Sequence, residues 1–256
     1  MKPDPGTKST RTGFLFLGMF RQITFGGKLS KVFGLEGEIM TTKFVHLRPQ
    51  SINRGKCGSC RLILIRHGIT EWNKQGRYCG YKDVGLSSQG KAQAVKLRKS
   101  LKNISFDRIY CSDRRRALQT KAIVFGRATF IKVSDLREIH FGVLEGLKHD
   151  EVMKKYAQIY KKWLKDPFKI RIPEAESMQA FKKRVLRAMK KITHLNQGKT
   201  IVVVCHGGVI GIFVSSILKS RNFWSYVPSP ASVTIVEYKK GKFRIKKFNQ
   251  SRVADV

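Results

Sequence analysis

Two histidines of this 256-residue chain follow short apolar runs, and each is followed directly by glycine. His67 comes after residues 62–65, and His206 comes after residues 201–204. A neutral imidazole is a nucleophile, and either ring nitrogen can carry a proton. If both runs are buried strands of one sheet, the two histidines leave strand carboxyl ends at the same edge. The glycines that follow lack a side chain, so we expect them to leave room for a ligand to approach the backbone.

Basic groups beside these histidines favour an anionic ligand. Arg66 precedes the first histidine, and its planar guanidinium matches two phosphate oxygens at a time. A helix that begins after Gly207 would point free N–H groups at an anion. The arginine-rich segment 112–117 opens a helix at the end of a third apolar run. We expect one of its arginines to reach the same pocket, whereas Arg114 and Arg115 fit a solvated helix start.

The elements that must position these groups alternate along the chain from residue 61. Strands are predicted at residues 62–65, 108–111, 129–133, 201–204, 233–237 and 243–247. Helices are predicted at residues 87–101, 113–125, 152–164, 177–195 and 208–218. In the fourth helix, one stripe is apolar and the other face carries lysine and arginine. This pattern predicts an α/β fold, a three-layer sandwich with a mostly parallel central sheet and helices on both faces.

Four sequence blocks carry a family resemblance. They are Arg66-His67-Gly68-Ile69-Thr70-Glu71-Trp72-Asn73, Cys111-Ser112-Asp113-Arg114-Arg115-Arg116-Ala117, Leu136-Arg137-Glu138-Ile139-His140-Phe141-Gly142 and Cys205-His206-Gly207-Gly208-Val209-Ile210. On these blocks the chain resembles the histidine phosphatase superfamily, also called the phosphoglycerate-mutase-like family, over about residues 61–250. The resemblance implies a phosphoglycerate-mutase-like fold and phosphoryl-transfer chemistry.

The resemblance also implies a role for each of seven residues. His67 attacks phosphorus and becomes a phosphohistidine, and Glu138 protonates the leaving alkoxide and later takes a proton from water. The phosphate oxygens are held by Arg66, Arg116 and His206, with Asn73 and the Gly207 backbone assisting. Because such a cationic cradle does most of what metal ions do in other phosphatases, we expect neither a metal nor another cofactor.

Four further positions are of interest beside these seven. Glu145 either braces the site or forms an ordinary loop contact, and His140 either packs or binds substrate. Ala175 stands where the family usually has glycine before Glu-Ser, which puts substrate contacts near Glu176 in question. Gly211 stands where the resemblance would place an arginine.

Substrate choice is open within the family. The compact length and the His-Gly-Gly-Val motif resemble the phosphatase branch, for which α-ribazole 5′-phosphate is the first named candidate. Another sugar or nucleotide monophosphate is nearly as well supported. The same resemblance implies that mutases of the family have a longer chain, with an insertion that bears consecutive arginines. Residues 147–174 contain no such insertion. Phosphoglycerate mutase is therefore the alternative function.

The charge of the chain predicts anionic partners. Its 52 Lys and Arg outnumber 17 Asp and Glu, which gives a formal net charge of +35. Nucleic acid, an anionic membrane surface and phosphorylated metabolites all fit that sign. A nonenzymatic polyanion-binding protein is the second alternative, but the basic helices lack interleaved aromatic residues. We predict a small phosphorylated substrate, no specific nucleic acid and no membrane partner, as either a monomer or a homodimer.

The domain boundaries and the compartment follow from composition. Residues 1–60 are basic and show no sustained period, so they are predicted to be an extension, with a transit peptide, a signal peptide or a misplaced gene start as other readings. The phosphatase domain is predicted at residues 61–250 and a tail at 251–256. Cys57 and Cys60 have the spacing of half a zinc site, but no second pair follows. Five dispersed cysteines favour a reducing, cytoplasmic location.

Overall fold

The structure, a computed structural model, describes residues 58–251. The predicted extension at residues 1–60 and the tail at residues 251–256 therefore lie almost wholly outside the described residues, and so does Cys57. Within residues 58–251, no helix has both the length and the apolar character needed to cross a membrane.

One sheet of six strands forms the centre of the described region, in the order β3-β2-β4-β1-β5-β6. The strands are β1 (Cys60–Arg66), β2 (Arg108–Cys111), β3 (Ile131–Lys132), β4 (Thr200–Cys205), β5 (Val233–Lys239) and β6 (Lys242–Gln250). The first four strands of that spatial order run parallel, whereas β5 pairs antiparallel with both β1 and β6. The predicted mostly parallel sheet is confirmed, although β3 is shorter than the predicted strand at residues 129–133.

Helices connect these strands and cover the sheet. They are α1 (Glu71–Lys74), α2 (Ser88–Leu101), α3 (Arg115–Phe125), α4 (His149–Lys165), α5 (Met178–His194) and α6 (Gly207–Ile217). Short 3₁₀ turns lie at Ser134–Leu136, Gly142–Leu144 and Phe223–Tyr226. Ser177 caps α5 as predicted, because its side chain accepts a hydrogen bond from the Ala180 N–H. The helix predicted at residues 152–164 begins three residues earlier than expected.

Alternating side chains of β1 enter two separate cores, which accounts for its uninterrupted apolar run. Leu62 and Leu64 pack in the core that includes residues of α4, α5 and α6, whereas Ile63 and Ile65 pack with residues of α2 and α3. All four side chains are at most 1% exposed. Burying each stabilises the fold by roughly 1.5–3 kcal/mol. The chain thus forms the predicted three-layer sandwich.

The strand register fixes where the chemistry-bearing loops begin. Arg66, at the end of β1, pairs with Cys205, at the end of β4, and Cys111, at the end of β2, pairs with Val204. Because three parallel strands end at the same level, the residues that follow them meet at one edge of the sheet.

Candidate active site

His67 and His206 lie beside each other at this edge. Their ring centroids are 5.1 Å apart, and the rings meet edge to face. The His67 N–H donates to the Cys205 carbonyl at 3.0 Å, which continues the pairing of β1 with β4 by one residue. His67 is 4% exposed and His206 is 0% exposed. Both imidazoles are therefore positioned by strands and shielded from water.

The hydrogen bonds of His67 fix its tautomer. Its Nδ1 lies 2.7 Å from the Gly68 carbonyl oxygen, which only accepts, so Nδ1 carries the proton. Its Nε2 is then an acceptor, and it faces the Nε–H of Arg116 at 3.3 Å. Burial, followed by the charges of Arg116 and Arg66, holds the pKa of His67 well below its ordinary value. The residue therefore presents a neutral nitrogen lone pair at neutral pH.

Arg116 connects both histidines with a neighbouring loop. Its Nε–H faces His67 and also His206 Nδ1, the latter at 3.2 Å. Its two terminal nitrogens donate to the carbonyls of Lys82 at 3.0 Å and Gly80 at 2.7 Å. The side chain is 0% exposed. The arginine expected to reach this pocket from the third strand end is thus Arg116.

His206 is oriented through Ser112, which follows β2. Because Nδ1 of His206 accepts from Arg116, its Nε2 carries the proton and donates to Ser112 Oγ at 2.8 Å. Burial, then the charge of Arg116, lowers the pKa of His206 well below its ordinary value. Both imidazoles are therefore neutral, with defined donor and acceptor sides.

Arg66 carries an unused hydrogen-bond donor into the site. The side chain is 4% exposed, and one terminal nitrogen donates to the Pro228 carbonyl. Among the described residues, its Nε is buried without a hydrogen-bond partner. An unpaired buried donor costs roughly 1–3 kcal/mol. This nitrogen is therefore well suited to an anionic ligand.

Glu138 is a buried carboxyl group at the same edge. Its two oxygens accept from the N–H groups of Ile139 at 3.0 Å and Gly208 at 2.8 Å. Desolvation raises the pKa of Glu138, although these two bonds and the nearby arginines oppose that effect. A carboxyl group with a raised pKa is suited to giving and taking a proton.

One cavity brings four of the seven predicted site residues together with four residues that were not predicted. It is lined by Arg66, His67, Asn73, Arg77, Tyr78, Cys79, Glu138 and Phe141. Asn73 also closes a capping box with Thr70 at the start of α1, because each side chain accepts from the other's backbone N–H at 3.1 Å. Arg77, Tyr78, Cys79 and Phe141 were missed by sequence reasoning. Two features of the sequence could have pointed to them: Arg77, Tyr78 and Cys79 follow the first block closely, and Phe141 lies within the third block.

The position that a Cβ would take on each of the two glycines is occupied by protein. A Cβ on Gly68 would lie 2.5 Å from the Gly90 carbonyl oxygen. A Cβ on Gly207 would lie 3.0 Å from the guanidinium carbon of Arg66. These glycines therefore allow close packing of backbone and arginine around the histidines.

Arg114, directly before α3, differs from expectation. We predicted it to be solvated, but it is half-buried, with its guanidinium 4.8 Å from the centre of the Tyr81 ring. Arg115 is exposed as expected. His140 also contacts Tyr81, with ring centroids 4.9 Å apart. The neighbouring loop is held by Glu145, whose carboxylate accepts from backbone N–H groups, among them that of Tyr81 at 2.8 Å.

Two neutral imidazoles, two arginines and a buried carboxyl group thus lie at one edge of the sheet, and family comparison agrees with the motifs that contain them. Residues 62–251 match the model of the histidine phosphatase superfamily, branch 1. The chain belongs to this superfamily. Phosphoserine phosphatase 1 of Hydrogenobacter thermophilus is 31% identical to it over 194 residues, which cover 74% of this chain and 92% of that protein.

Further relatives within the superfamily carry related names. The adenosylcobalamin/alpha-ribazole phosphatase of Escherichia coli is 34% identical over 161 residues, covering 62% of this chain and 79% of that protein. The crystal structure of the alpha-ribazole phosphatase from Shigella flexneri superimposes with a TM-score of 0.70 at 27% identity, covering 77% of this chain and 99% of that one. Family membership and these names support a phosphatase.

The two buried histidines of this histidine phosphatase should make its stability depend on pH. Their pKa values are lowered in the folded state, so below about pH 6.5 the unfolded chain binds protons that the native state does not. The free energy of unfolding should therefore fall as pH falls from 6.5, by up to about 2.7 kcal/mol per pH unit for two groups. Urea titrations between pH 7.5 and 5.5 measure this slope.

His67→Gln removes one of the two groups and should roughly halve the slope, whereas exposed His194→Gln should leave it unchanged. The pKa of Glu138 is raised, so its contribution has the opposite sign and is lost as pH rises above about 4.5. Glu138 is present in wild type and in both variants, so its contribution cancels when their slopes are compared. If the free energy of unfolding depended on pH with the same slope in wild type and in His67→Gln, buried His67 would not be a source of that dependence.

Proposed function

We propose that this protein is a metal-independent phosphomonoesterase that acts through a phosphohistidine on a small phosphorylated metabolite. One observation carries the proposal. A single cavity is lined by the neutral His67, by Arg66 with its unpartnered buried donor, and by the buried carboxyl group of Glu138. These are a nucleophile, an anion-binding group and a proton donor, the three groups that transfer of a phosphoryl group requires.

In the first step, the lone pair of His67 Nε2 attacks phosphorus, and the bond from phosphorus to the ester oxygen breaks. Glu138 gives its proton to the departing alkoxide and becomes a carboxylate. The products are the free alcohol and a phosphohistidine. The tautomer held by the Gly68 carbonyl leaves Nε2 without a proton, and the lone pair attacks once the 3.3 Å contact from the Arg116 Nε–H is released.

In the second step, a water molecule attacks the phosphohistidine. Glu138 takes a proton from the water as its oxygen bonds to phosphorus, and the bond between phosphorus and Nε2 breaks. Inorganic phosphate leaves, and both His67 and Glu138 return to their starting protonation states. Each turnover consumes one water and one ester.

Negative charge on the transferred group is balanced by two fixed cations, Arg66 and Arg116. We assign the phosphate oxygens to Arg66, Arg116 and His206, with Asn73 and the Gly207 backbone assisting. For His206, this requires the Nε2–H to turn from Ser112 Oγ to the phosphate. Arg116 is already fixed by its bonds to Gly80 and Lys82, so little reorganisation accompanies the reaction. Such a preorganised cradle supplies the positive charge within the proposed mechanism.

For the physiological ester, we keep α-ribazole 5′-phosphate as the first named candidate and add phosphoserine to the panel. Support comes from relatives named α-ribazole phosphatase and phosphoserine phosphatase. Against a mutase, residues 147–174 consist mainly of α4, and Arg171 is the one arginine in that segment of the sequence.

The proposal is tested by measuring phosphate release and the covalent intermediate together. The full-length protein is incubated with EDTA and a panel containing 4-nitrophenyl phosphate, α-ribazole phosphate, phosphoserine, glycerol phosphate and nucleoside monophosphates. We expect EDTA-resistant release, and an acid-labile, alkali-stable phosphoenzyme that maps to the peptide containing His67. The ratio kcat/KM then ranks the esters.

Three outcomes would contradict the proposal. Release that stops in EDTA would contradict metal independence, and release without a phosphoenzyme would contradict the histidine intermediate. Transfer of phosphate from one hydroxyl of phosphoglycerate to another, without net release, would favour the mutase alternative.

A further inference from the structure

Arg184 of α5 has every N–H donor of its guanidinium occupied. Its side chain is 11% exposed. Nε donates to Glu176 at 2.7 Å, and Nη2 donates to the second oxygen of that carboxylate at 2.7 Å. Nη1 donates to the carbonyls of Asp135 at 2.9 Å and Arg137 at 2.8 Å. The remaining donor, on Nη2, bonds the Glu138 carbonyl at 2.9 Å.

These acceptors come from two segments that are distant along the chain. Three are backbone carbonyls within residues 135–138, the segment that ends at the buried carboxyl group. The fourth and fifth are the two oxygens of Glu176, itself 16% exposed. Because a guanidinium is a planar fork with five fixed donors, these bonds set both the position and the orientation of the segment.

The bond to Glu138 acts on one particular peptide unit. The Glu138 carbonyl and the Ile139 N–H belong to the same planar peptide. Arg184 holds the carbonyl side at 2.9 Å, and the N–H side donates to the Glu138 carboxylate at 3.0 Å. Rotation of this peptide would therefore carry the donor away from the carboxylate. Arg184 thus fixes the orientation of the Glu138 carboxyl group through the planar peptide between residues 138 and 139, without contacting the carboxyl group.

We propose that Arg184, itself held by Glu176, is a positioning residue that orients the Glu138 carboxyl group for proton transfer. The inference rests on the proposed function, in which Glu138 is the proton donor. Without Arg184, the peptide between residues 138 and 139 loses its fixed orientation. The carboxyl group is then displaced from the leaving oxygen, and displacements on the order of 1 Å lower rates substantially.

A purely structural role predicts a different result. Arg184 also stacks on Phe181, with its guanidinium carbon 4.8 Å from the ring centre, so its loss affects packing. General packing damage should slow all esters equally. Misplacement of a general acid should slow esters of strongly basic alkoxides most, because 4-nitrophenolate departs with little help from a proton.

The experiment compares Arg184→Met with wild type on 4-nitrophenyl phosphate and on the best alkyl phosphate of the panel. We expect kcat/KM to fall about 30-fold or more for the alkyl ester and less than about 3-fold for the aryl ester. Glu138→Gln should show the same contrast between the two esters, with larger losses of kcat/KM. The Ile139 N–H bond lowers the pKa of Glu138, so the basic limb of the alkyl pH profile should also move to higher pH.

Arg187→Met is the matched control on the same helix. Its side chain is 65% exposed and pairs with Asp135 at 3.0 Å, so both rates should stay close to wild type.

Glu176→Gln keeps the Arg184 side chain and should show a weaker form of the same contrast between the alkyl and the aryl ester. It also serves as the test if Arg184→Met does not fold, as judged by circular dichroism and Tm.

Equal losses for both esters in a folded Arg184→Met or Glu176→Gln variant would overturn the positioning role. Unchanged rates for both esters would overturn it as well. A wild-type protein that releases no phosphate from any ester is a separate result, because it overturns the proposed function itself before any variant is compared.

Discussion

Replacing His67 with asparagine is expected to lower kcat by about 10⁴-fold or more for every ester of the panel. The amide is close to the imidazole in size, but it offers no nitrogen lone pair to phosphorus. Without the covalent intermediate, water would have to attack the ester directly. The measurement is steady-state phosphate release, with a search for the phosphoenzyme in the same variant.

His194→Asn is the control for this substitution, since His194 is exposed at the end of α5 and should retain wild-type rates. Circular dichroism should show that both variants are folded. Phosphate release by His67→Asn at more than about one hundredth of the wild-type rate would contradict nucleophilic catalysis by this residue.

Arg116→Met should have the second largest effect, a loss of about 10³-fold in kcat. The substitution removes the cation assigned to the transferred phosphate, and it also removes the donor that faces both histidines. Because the charge of Arg116 lowers the pKa of His67, its removal should raise that pKa. The acidic limb of the pH–rate profile should therefore move to higher pH.

Arg115→Met is a matched control, because it removes the same charge from the neighbouring, exposed position. It should leave kcat and the acidic limb close to wild type. Since Arg116 also bonds the carbonyls of Gly80 and Lys82, Tm is measured for both variants. A loss of kcat without movement of the acidic limb would contradict the electrostatic link between Arg116 and His67.

Much of the fold and the meeting of the two histidines could be predicted from the sequence. The runs at residues 62–65 and 201–204 are apolar because both faces of these strands are covered, and such strands lie in parallel sheets. A histidine that follows each run must then lie at the carboxyl edge. The strand at residues 108–111 had the same signature, which pointed to an arginine of the segment after it.

Contacts between distant segments could not be predicted in the same way. Arg184 and the Glu138 carbonyl are 46 residues apart, and no local period encodes their hydrogen bond. The periodicity of α5 predicts that its arginines lie on the face opposite the apolar stripe, yet the Arg184 side chain is only 11% exposed. A signal was present, because Arg184 lies three residues after Phe181 and four before Ala188, and both of those are buried. A charged residue within an apolar stripe indicates a buried partner.

Arg114 and the glycines show a second limit. Whether Arg114 meets water or the Tyr81 ring depends on a loop that arrives from another part of the chain. Likewise, the sequence shows that Gly68 has no side chain, but it does not show which atoms use the space. Both outcomes are decided by tertiary packing.

The cradle at the sheet edge has a consequence for how this chain can diverge. His67, Arg116, Glu138 and His206 come from four separate stretches, and all four side chains are buried. Arg116 donates to both histidines, and Glu138 accepts from the Gly208 N–H. A substitution at any of them disturbs chemistry and folding together, so little neutral variation is open there. Tyr81 and His140 stack on each other and have no part in the proposed proton or phosphoryl transfer. We therefore expect variation among related chains to be tolerated at such neighbouring positions while the reaction itself stays the same.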